Sequence, residues 1–515
     1  MMRQTSTGMS APTDATPRSG LSTELPFTDR QLLALVAITL LAAMLRLYRL
    51  DEWSLWVDEA HTFRDVLKTD DEFWRSENAR YPLSYLVLRW LHPVLPSIGE
   101  GWLRLPFAFF GILSIPALAL VGRHFVGRGA ALLAAALLAV HPWHIYWSQN
   151  ARSYSMVLLF GLMSAGAFYV GWKRRSFWLL GGGVVSLVLA GLCHPSAFLL
   201  LGGFLGFVVL RGRRDRQRRG VERWLPMAIL GLLLVLTPIL LPLVEVFQRN
   251  KPDFSLTHLL QTMVFFVRVP ILVAAFGGVL WLFDRGDPAA IFLACWTVVP
   301  TVALAFASSF IFKTTAQYAF YTLPAFLLLA ALTVRMLMDR IQGVGLRGVT
   351  MRLVPFGIVF LDMLGPAWLY YARQHGDRPM WRDASHYVQR EGRGRVRVLS
   401  TNGPSLSYYL NLKGLVRRGD GEPIDVVGIA RDKFDDAGGA DHYFASQAES
   451  AVRDGIDLWV VVSDPELAEM DPGSLGGSYL RRNYHQVRNY PNWLGPKDMT
   501  VSVYRFKAPD PPRVR

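Results

Sequence analysis

Two adjacent carboxylates in the first polar segment of the chain, residues 50–102, are the side chains best suited to chemistry. Asp58 and Glu59 follow an apolar run and lie between Trp56 and His61. A carboxylate beside aromatic side chains can take the proton of an attacking hydroxyl, or bind a divalent cation. The alternative is an ordinary solvated acidic loop, and the residue types alone leave both interpretations open.

Three further polar stretches stand at the ends of apolar runs. In residues 141–154 an interfacial aromatic belt explains the aromatic residues, but it explains a glutamine and an arginine less well. In residues 312–321 a lysine is either a positive membrane anchor or an anion-binding group, and a histidine after another run is either a helix-end hydrogen-bonding group or a ligand. Together with the two carboxylates, these stretches fit one site that holds a lipid phosphate and activates an acceptor. Their candidate side chains are Gln149, Arg152, Tyr154, His194, Lys313, Gln317 and Tyr318.

Such a site forms only if the apolar runs between these stretches pack side by side. Of 515 residues, 52% are hydrophobic and 18% are charged, whereas soluble proteins carry about 25% charged residues. The fold class is therefore predicted as mainly α, a polytopic transmembrane helical bundle behind a disordered cytoplasmic tail, residues 1–29. A span needs about 20 mostly apolar residues, which predicts about eleven spans. They lie near 30–48, 103–122, 129–147, 154–172, 177–193, 196–210, 225–246, 263–283, 289–309, 319–334 and 352–371.

The distribution of Lys and Arg predicts the orientation of this bundle. Alternate short loops hold 17 Lys and Arg in one set and 4 in the other, and the basic set is cytoplasmic by the positive-inside rule. The N-terminus is then inside and the C-terminus outside. These loops also account for the net charge of +14, so nucleic acid is not an expected partner. Cys193 and Cys295 lie in apolar segments, and we expect no disulfide.

Residues 372–515 differ sharply in composition from the membrane domain, residues 30–371, and face outward in this orientation. They alternate helical patterns with strand-like runs, which predicts a small extracytoplasmic α/β domain. The helical patterns lie near 380–391 and 443–454, and the strand-like runs at 395–400, 458–462 and 500–506.

Five short motifs follow one another in a fixed order between about residues 30 and 334. They are Trp56-Val57-Asp58-Glu59-Ala60, Pro82-Leu83, Leu103-Arg104-Leu105-Pro106 with Gly111, His141-Pro142 leading to Tyr146–Tyr154, and Gln317-Tyr318 before Leu323-Pro324-Ala325. As an ordered set they resemble the polytopic glycosyltransferases of the C superfamily. The resemblance is greatest to the bacterial branch related to dolichyl-phosphate-mannose protein mannosyltransferases and lipid A aminoarabinose transferases.

The resemblance implies transfer of a sugar from a polyprenyl-phosphate carrier to an acceptor on the outer face of the membrane. Asp58 matches the general base or a ligand of an assisting metal, and Glu59 would support it. Arg104 and Arg152 match positions near the active-site face and are candidate residues for binding the donor phosphate, and Tyr318 matches a tyrosine that approaches the carrier phosphate. The other candidate pocket residues are Trp56, His61, Gln149, Tyr154, His194 and Gln317.

The chain departs from the family pattern at positions that bear on the metal and the phosphate. Arg80-Tyr81-Pro82 stands where members commonly have His-Pro-Pro or Glu-Lys-Pro, which removes a possible metal ligand and adds a cation. Gln317 occupies a position where many members of the family have Arg, and Asn150 occupies a position where many have Glu. A divalent metal at Asp58 stays one alternative. The other is that Arg80 and Lys313 supply positive charge for the phosphate.

The sequence therefore predicts a multi-pass bacterial inner-membrane glycosyltransferase that works by one displacement, with inversion at the anomeric carbon. Its expected partners are a polyprenyl-phosphate-linked sugar, membrane lipids and an acceptor, which is a protein, a lipid or a glycan. The sugar is open among mannose, aminoarabinose, galacturonic acid and arabinose. A lipid-linked glycan transporter or flippase is the alternative, and it predicts ionisable residues within spans. Asp362 is the only carboxylate deep in a predicted span.

Overall fold

The computed structural model describes residues 26–94, 100–214, 256–310, 314–341, 345–412, 424–494 and 497–507. Six described helices are long and apolar enough to cross a membrane, or seven if one bent pair is a single span. Two shorter apolar helices accompany them. The protein is therefore a multi-pass membrane protein. Residues 1–25 of the predicted tail and the span predicted near 225–246 lie outside the described residues.

The helices of the bundle and of its first polar segment follow the predicted order. Three 3-10 helices connect them, at Glu77–Arg80, Pro195–Phe198 and Ala316–Thr322. In chain order the α-helices are α1 (Asp29–Leu47), α2 (Val57–Val66), α3 (Asp70–Trp74), α4 (Leu83–Leu91), α5 (Gly101–Val140), α6 (Pro142–Ser148), α7 (Tyr154–Arg174), α8 (Phe177–Cys193), α9 (Leu199–Arg214), α10 (Leu256–Val267), α11 (Val269–Asp284), α12 (Pro288–Phe310), α13 (Leu323–Arg340) and α14 (Gly345–Ala372).

Helix α5 contains both spans that were predicted near 103–122 and 129–147. Its 40 residues are interrupted at Gly127, whose φ of 78° only glycine adopts without strain. A methyl group at Gly122 would lie 3.3 Å from the Cβ of Ala131, although a straight helix would separate these residues by about 13 Å. The chain therefore reverses direction at Gly127, and α5 is two antiparallel spans.

The prediction of one continuous span near 263–283 is wrong. The structure has two helices there, and the angle between them is 89°. Helix α10 ends at Val267, Arg268 has a positive φ of 80°, and α11 begins at Val269. The proline at position 270 explains the break, since it has no N–H to donate and its ring clashes with the preceding turn.

The segment 50–102 is a folded subdomain rather than a solvated loop. Helices α2, α3 and α4 pack together, and Phe73 is fully buried among them. Thr69 and Glu72 form a capping box at the start of α3, which fixes the turn after α2. Residues 95–99 of this segment lie outside the described residues. The segment therefore holds the Asp58 helix in a defined position.

The C-terminal residues form the predicted α/β domain around a five-stranded sheet in the order β2-β1-β3-β7-β4. Strand β1 pairs parallel with β2 and β3, whereas β7 pairs antiparallel with β3 and β4. The three predicted strands and both predicted helices are confirmed. The elements are α15 (Trp381–Glu391), β1 (Val396–Ser400), α16 (Gly403–Ser407), β2 (Asp425–Gly428), α17 (Arg431–Asp436), α18 (Ala440–Asp454), β3 (Asp457–Ser463), α19 (Asp464–Met470), α20 (Leu475–Asn483), β4 (Tyr484–Tyr490), β5 (Trp493–Leu494), β6 (Lys497–Asp498) and β7 (Val501–Phe506).

Candidate active site

The two carboxylates of α2 have different environments although they are adjacent in sequence. Both lie in the first turn of α2, where the helix dipole favours negative charge. Successive residues of an α-helix point about 100° apart, so the two side chains face different neighbours. The side chain of Asp58 is 39% exposed, and that of Glu59 is fully buried.

Glu59 is held by two arginines from distant parts of the chain. Its two carboxylate oxygens accept hydrogen bonds of 2.8 Å from Nε and Nη2 of Arg104, and Nε of Arg378 lies 3.3 Å from Oε2. The backbone N–H of Ala151 also donates to Oε1 at 2.8 Å. Burial alone would raise the pKa of Glu59, but the two arginine charges outweigh it and lower the pKa to about 2. Glu59 is therefore a permanent anion that joins three segments.

Arg104 does not have the geometry of a phosphate-binding residue, contrary to the prediction. A guanidinium has five N–H donors, and all five are directed at protein oxygens. Two go to Glu59, and the others go to the backbone carbonyls of Leu50, Trp53 and Ser54 at 2.9–3.1 Å. Arg104 is also fully buried. Its role is to position the segment that carries α2.

Asp58 faces Arg152, which lies in the turn between α6 and α7. Oδ2 of Asp58 is 3.7 Å from Nε of Arg152, and the Arg152 side chain is 25% exposed. Burial opposes the charge on Arg152, but the Asp58 carboxylate outweighs burial and raises the pKa of Arg152. Arg152 therefore stays charged, and Asp58 is the carboxylate of the pair that a ligand can reach.

Three predicted residues gather beside this ion pair. The hydroxyls of Tyr154 and Tyr318 lie within electrostatic range of both Asp58 and Arg152. The ring centroid of His194 is 5.6 Å from that of Tyr154 and 4.8 Å from that of Tyr318. Burial and the charge of Arg152 lower the pKa of His194 to about 3, so this imidazole is neutral at neutral pH. The four predicted segments therefore meet at one place.

Gln149 belongs to the interior rather than to an open pocket, contrary to the prediction. Its side-chain amide donates to the backbone carbonyls of three residues at the end of α1, with distances of 2.8–3.3 Å. Its Oε1 accepts hydrogen bonds from Trp53 and Tyr370. These contacts use every donor and two acceptor positions of the amide, so Gln149 connects three elements.

The remaining predicted residues are scattered around the ion pair. Arg80 is exposed at the end of its 3-10 helix, and His61 is partly buried with its Nδ1 lacking a hydrogen-bond partner among the described residues. Trp56 and Gln317 line a cavity, and the Trp56 indole donates to Asn150 at 3.2 Å. Lys313 lies outside the described residues.

The side chains around Asp58 do not fit a divalent metal site. No group of three or more His, Cys, Asp and Glu side chains with metal-binding geometry occurs in the described part of the chain. The charged neighbour of Asp58 is a cation, and Glu59 is committed to Arg104 and Arg378. A metal would need ligands from beyond these residues, so we derive no step through it.

A cavity of about 310 Å³ lies where the bundle meets the sheet domain. Val57, the residue before Asp58 in α2, lines this cavity. Part of its wall is aromatic, and another part carries amides and carboxylates. The aromatic residues are Trp56, Trp143, Tyr146, Trp147, Phe265, Phe266 and Trp381, and the amides and carboxylates are Gln317, Gln374, Asp377, Asn402 and Glu466.

A second, open groove of about 660 Å³ meets this cavity at the break between α10 and α11. The two share Phe265 and Arg268. The apolar side chains of the groove are exposed on the outside of the bundle. Inside the groove Arg268 binds Asp362 of α14 through two hydrogen bonds, at 2.8 and 2.9 Å. An apolar surface open to lipid thus leads to a cation at the edge of the cavity.

Solved structures identify this fold, although no protein-family model and no curated protein matches the chain. The oligosaccharyltransferase of Archaeoglobus fulgidus in the apo form matches with a TM-score of 0.59 and 14% identity, over 89% of this chain and 73% of that one. ArnT from Cupriavidus metallidurans in the apo state matches with a TM-score of 0.55 and 14% identity, over 92% and 97%. This chain therefore has the fold of these two proteins.

The shared fold includes the sheet domain, since the match to ArnT extends over nearly all of both chains. The sheet domain also supplies a site residue that sequence reasoning missed. Arg378 precedes α15, is fully buried, and donates at 2.7 Å to the backbone carbonyl of Gln149 in addition to binding Glu59. No local pattern marks it, because its partners lie more than 200 residues earlier in the chain.

Proposed function

We propose that the protein is a glycosyltransferase of the bacterial inner membrane. It moves a sugar from a polyprenyl-phosphate carrier to an acceptor hydroxyl on the outer face. The observation that carries this proposal is the partly exposed Asp58 carboxylate, which faces Arg152 and follows Val57, a residue of the cavity wall. The fold supports it, since ArnT of Cupriavidus metallidurans was solved bound to undecaprenyl phosphate, at a TM-score of 0.52 and 16% identity over 93% of this chain and 98% of that one.

The proposed reaction is one displacement at the anomeric carbon. The acceptor oxygen forms a bond to this carbon as its proton passes to the Asp58 carboxylate, and the bond from the carbon to the phosphate oxygen breaks. The carrier phosphate leaves with the electron pair and gains negative charge. Arg152 stabilises this charge as it develops, and Arg80 and Lys313 are the other candidate cations. The configuration at the anomeric carbon is inverted.

The carrier is proposed to reach this site through the open groove. Its isoprenoid chain would lie on the exposed apolar side chains of α10 and α11, and its phosphate would bind Arg268 at the edge of the cavity. An intramembrane cation that faces a cavity typically marks the path of a charged substrate. Asp362 then holds the Arg268 guanidinium in place until a phosphate competes for it.

Replacing Arg268 by Gln is expected to raise the KM for the lipid donor about tenfold, since it removes a charge-assisted hydrogen bond to phosphate. Asp362→Asn should leave this KM unchanged or lower it, because it frees the guanidinium. A purely structural ion pair predicts equal losses in both variants. Donor titrations on purified protein measure the difference, and thermal unfolding of both variants checks folding. Equal losses would contradict the proposed route.

The overall function is tested by incubating membranes that contain the protein with a panel of radiolabelled polyprenyl-phosphate sugars. We expect label from one sugar to appear in a product that no longer carries the lipid. The anomeric configuration of the product should be opposite to that of the donor. Absence of transfer from every carrier in the panel, with acceptor-containing extracts present, would refute the proposed function.

A further inference from the structure

Three polar atoms in the cavity wall are buried without a hydrogen-bond partner among the described residues. They are Oδ1 of Asp377 and the indole nitrogens of Trp147 and Trp381. Buried polar groups are almost always hydrogen-bonded, to protein, water or a ligand. One acceptor and two donors on side chains that line one cavity therefore lack partners among the described residues, and a group that both donates and accepts would satisfy them.

The shape and lining of the cavity narrow the chemistry of this ligand. Its volume of about 310 Å³ is at the lower end of the range for small-molecule sites, about 300–1,000 Å³. Indole rings at Trp56, Trp143 and Trp147 offer flat apolar faces, and amides and carboxylates supply polar groups. A pyranose or furanose ring has apolar C–H faces and a rim of hydroxyls, each of which donates and accepts. A saccharide matches both parts of the wall.

Two polar residues of the cavity wall lie at the part of the sheet domain where open α/β sheets bind ligands. Strand β1 lies between β2 and β3, all three parallel, and the chain passes from β1 to β2 on one side and from β3 towards β4 and β7 on the other. Ligands of such sheets bind in the crevice at this point. Asn402 follows β1 and Glu466 follows β3, and both line the cavity. The sheet domain thus contributes a ligand crevice to the cavity.

Asp377 combines an unusual backbone conformation with a raised pKa. Its φ is 55°, in the left-handed region, which asparagine and aspartate tolerate better than most residues. Burial raises the pKa of this carboxyl to about 7, even though the charge of the neighbouring Arg378 opposes the change. Near neutral pH the group is therefore present both as an acceptor and as a donor for hydroxyls.

We propose that this cavity binds a saccharide acceptor, so that the hydroxyl attacking the donor sugar belongs to a glycan or to the glycan part of a glycolipid. The inference rests on the proposed function and names the acceptor class of the same site. The donor approaches from the groove, whereas Asp377, Asn402 and Glu466 of the cavity wall come from the sheet domain. Asp58, which follows Val57 of the cavity wall, would take the proton of the bound hydroxyl.

The test is binding of methyl glycosides of mannose, glucose, galactose and arabinose, and of their disaccharides, to the purified full chain in detergent. Trp381→Phe keeps a ring and removes only the unpartnered N–H, so a structural role predicts no change. We expect it to raise the dissociation constant of the bound saccharide about tenfold, as expected for one lost hydrogen bond. Asp377→Gly, which suits the positive φ, should do the same, and Asp377→Asn should restore part of the binding.

The matched control is Trp459→Phe. Trp459 lies in β3, is also buried with an indole nitrogen that lacks a partner among the described residues, and is not part of the cavity wall. It should leave saccharide binding unchanged. No binding of any probe, or equal losses in Trp381→Phe and Trp459→Phe, would overturn the proposal.

A donor-side role of the cavity would also overturn it, and kinetics separates the two. A saccharide acceptor site predicts that Trp381→Phe and Asp377→Gly raise the KM for the acceptor, while undecaprenyl phosphate without sugar binds as in the parent protein. A rise in donor KM alone would assign the cavity to the donor sugar. Asp58→Asn should lose transfer but keep glycoside binding, so failure of the proposed function and failure of this inference give different results.

Discussion

Replacing Asp58 by Asn is expected to abolish sugar transfer while leaving the protein folded in the membrane. The amide has nearly the same shape but cannot accept the proton of the acceptor hydroxyl, and general-base catalysis contributes about 10²–10⁴-fold. The 39% exposure of the side chain and its single ion pair at 3.7 Å mean that little structure depends on the charge. Transfer of label from the active carrier sugar, measured at saturating donor, gives the size of the loss.

The matched control for this prediction is Asp71→Asn. Asp71 lies in the same segment and pairs with Arg75 on the surface, with 69% of its side chain exposed. Exposed pairs contribute little to stability, so this variant makes the same chemical change without an effect on transfer. Substantial activity in Asp58→Asn, with the control at the parent level, would remove Asp58 from the catalytic role.

The sequence predicted the fold correctly wherever a property of a long stretch of the chain determined the structure. Apolar length predicted the spans, because backbone groups in lipid must be satisfied within a helix. It failed where a single residue changed the path of the chain. Pro270 breaks the span predicted near 263–283 into two helices at Arg268. Strand β4 was missed because its side chains are mostly exposed and polar, so no apolar alternation marks it.

The candidate site was predictable only as a set of segments. Asp58, Arg152, Tyr154, His194 and Tyr318 meet as the motif order indicated, since the ends of neighbouring spans on one side must lie close together. The sequence did not distinguish ligand-facing from buried polar residues. Arg104 and Gln149 have the residue types of a site, but their donors are fully used inside the protein.

The sheet domain and the membrane domain are joined at the segment that carries Asp58. Tyr409 accepts a hydrogen bond of 2.6 Å from the backbone N–H of Leu55, and Arg382 forms an ion pair with the buried Glu100. Arg378 reaches Glu59 itself. Three contacts from the sheet domain thus fix the position of α2. A change in the sheet domain would therefore be transmitted to Asp58 through a direct, rigid connection.

Replacing Glu59 by Gln is expected to destabilise the protein by about 3–5 kcal/mol, the usual cost of breaking a buried ion pair. The change leaves Arg104 and Arg378 buried without their anion. The pKa of Glu59 lies at about 2 in the folded protein, below about 4.3 in an unfolded chain. Its contribution to stability is therefore complete above about pH 4.3 and is lost as the pH falls towards 2. The variant should lack this contribution at every pH.

Thermal unfolding in detergent, followed by the fraction of protein that stays monodisperse, measures this loss. Asp58→Asn is the matched control, because it makes the same change one residue earlier in the same helix turn. The two variants should separate completely: Asp58→Asn stable and inactive, and Glu59→Gln unstable. If Glu59→Gln kept the parent stability but lost activity, Glu59 would act on the substrate. The two adjacent carboxylates would then share the catalytic role, and the buried network with Arg104 and Arg378 would not be what positions α2.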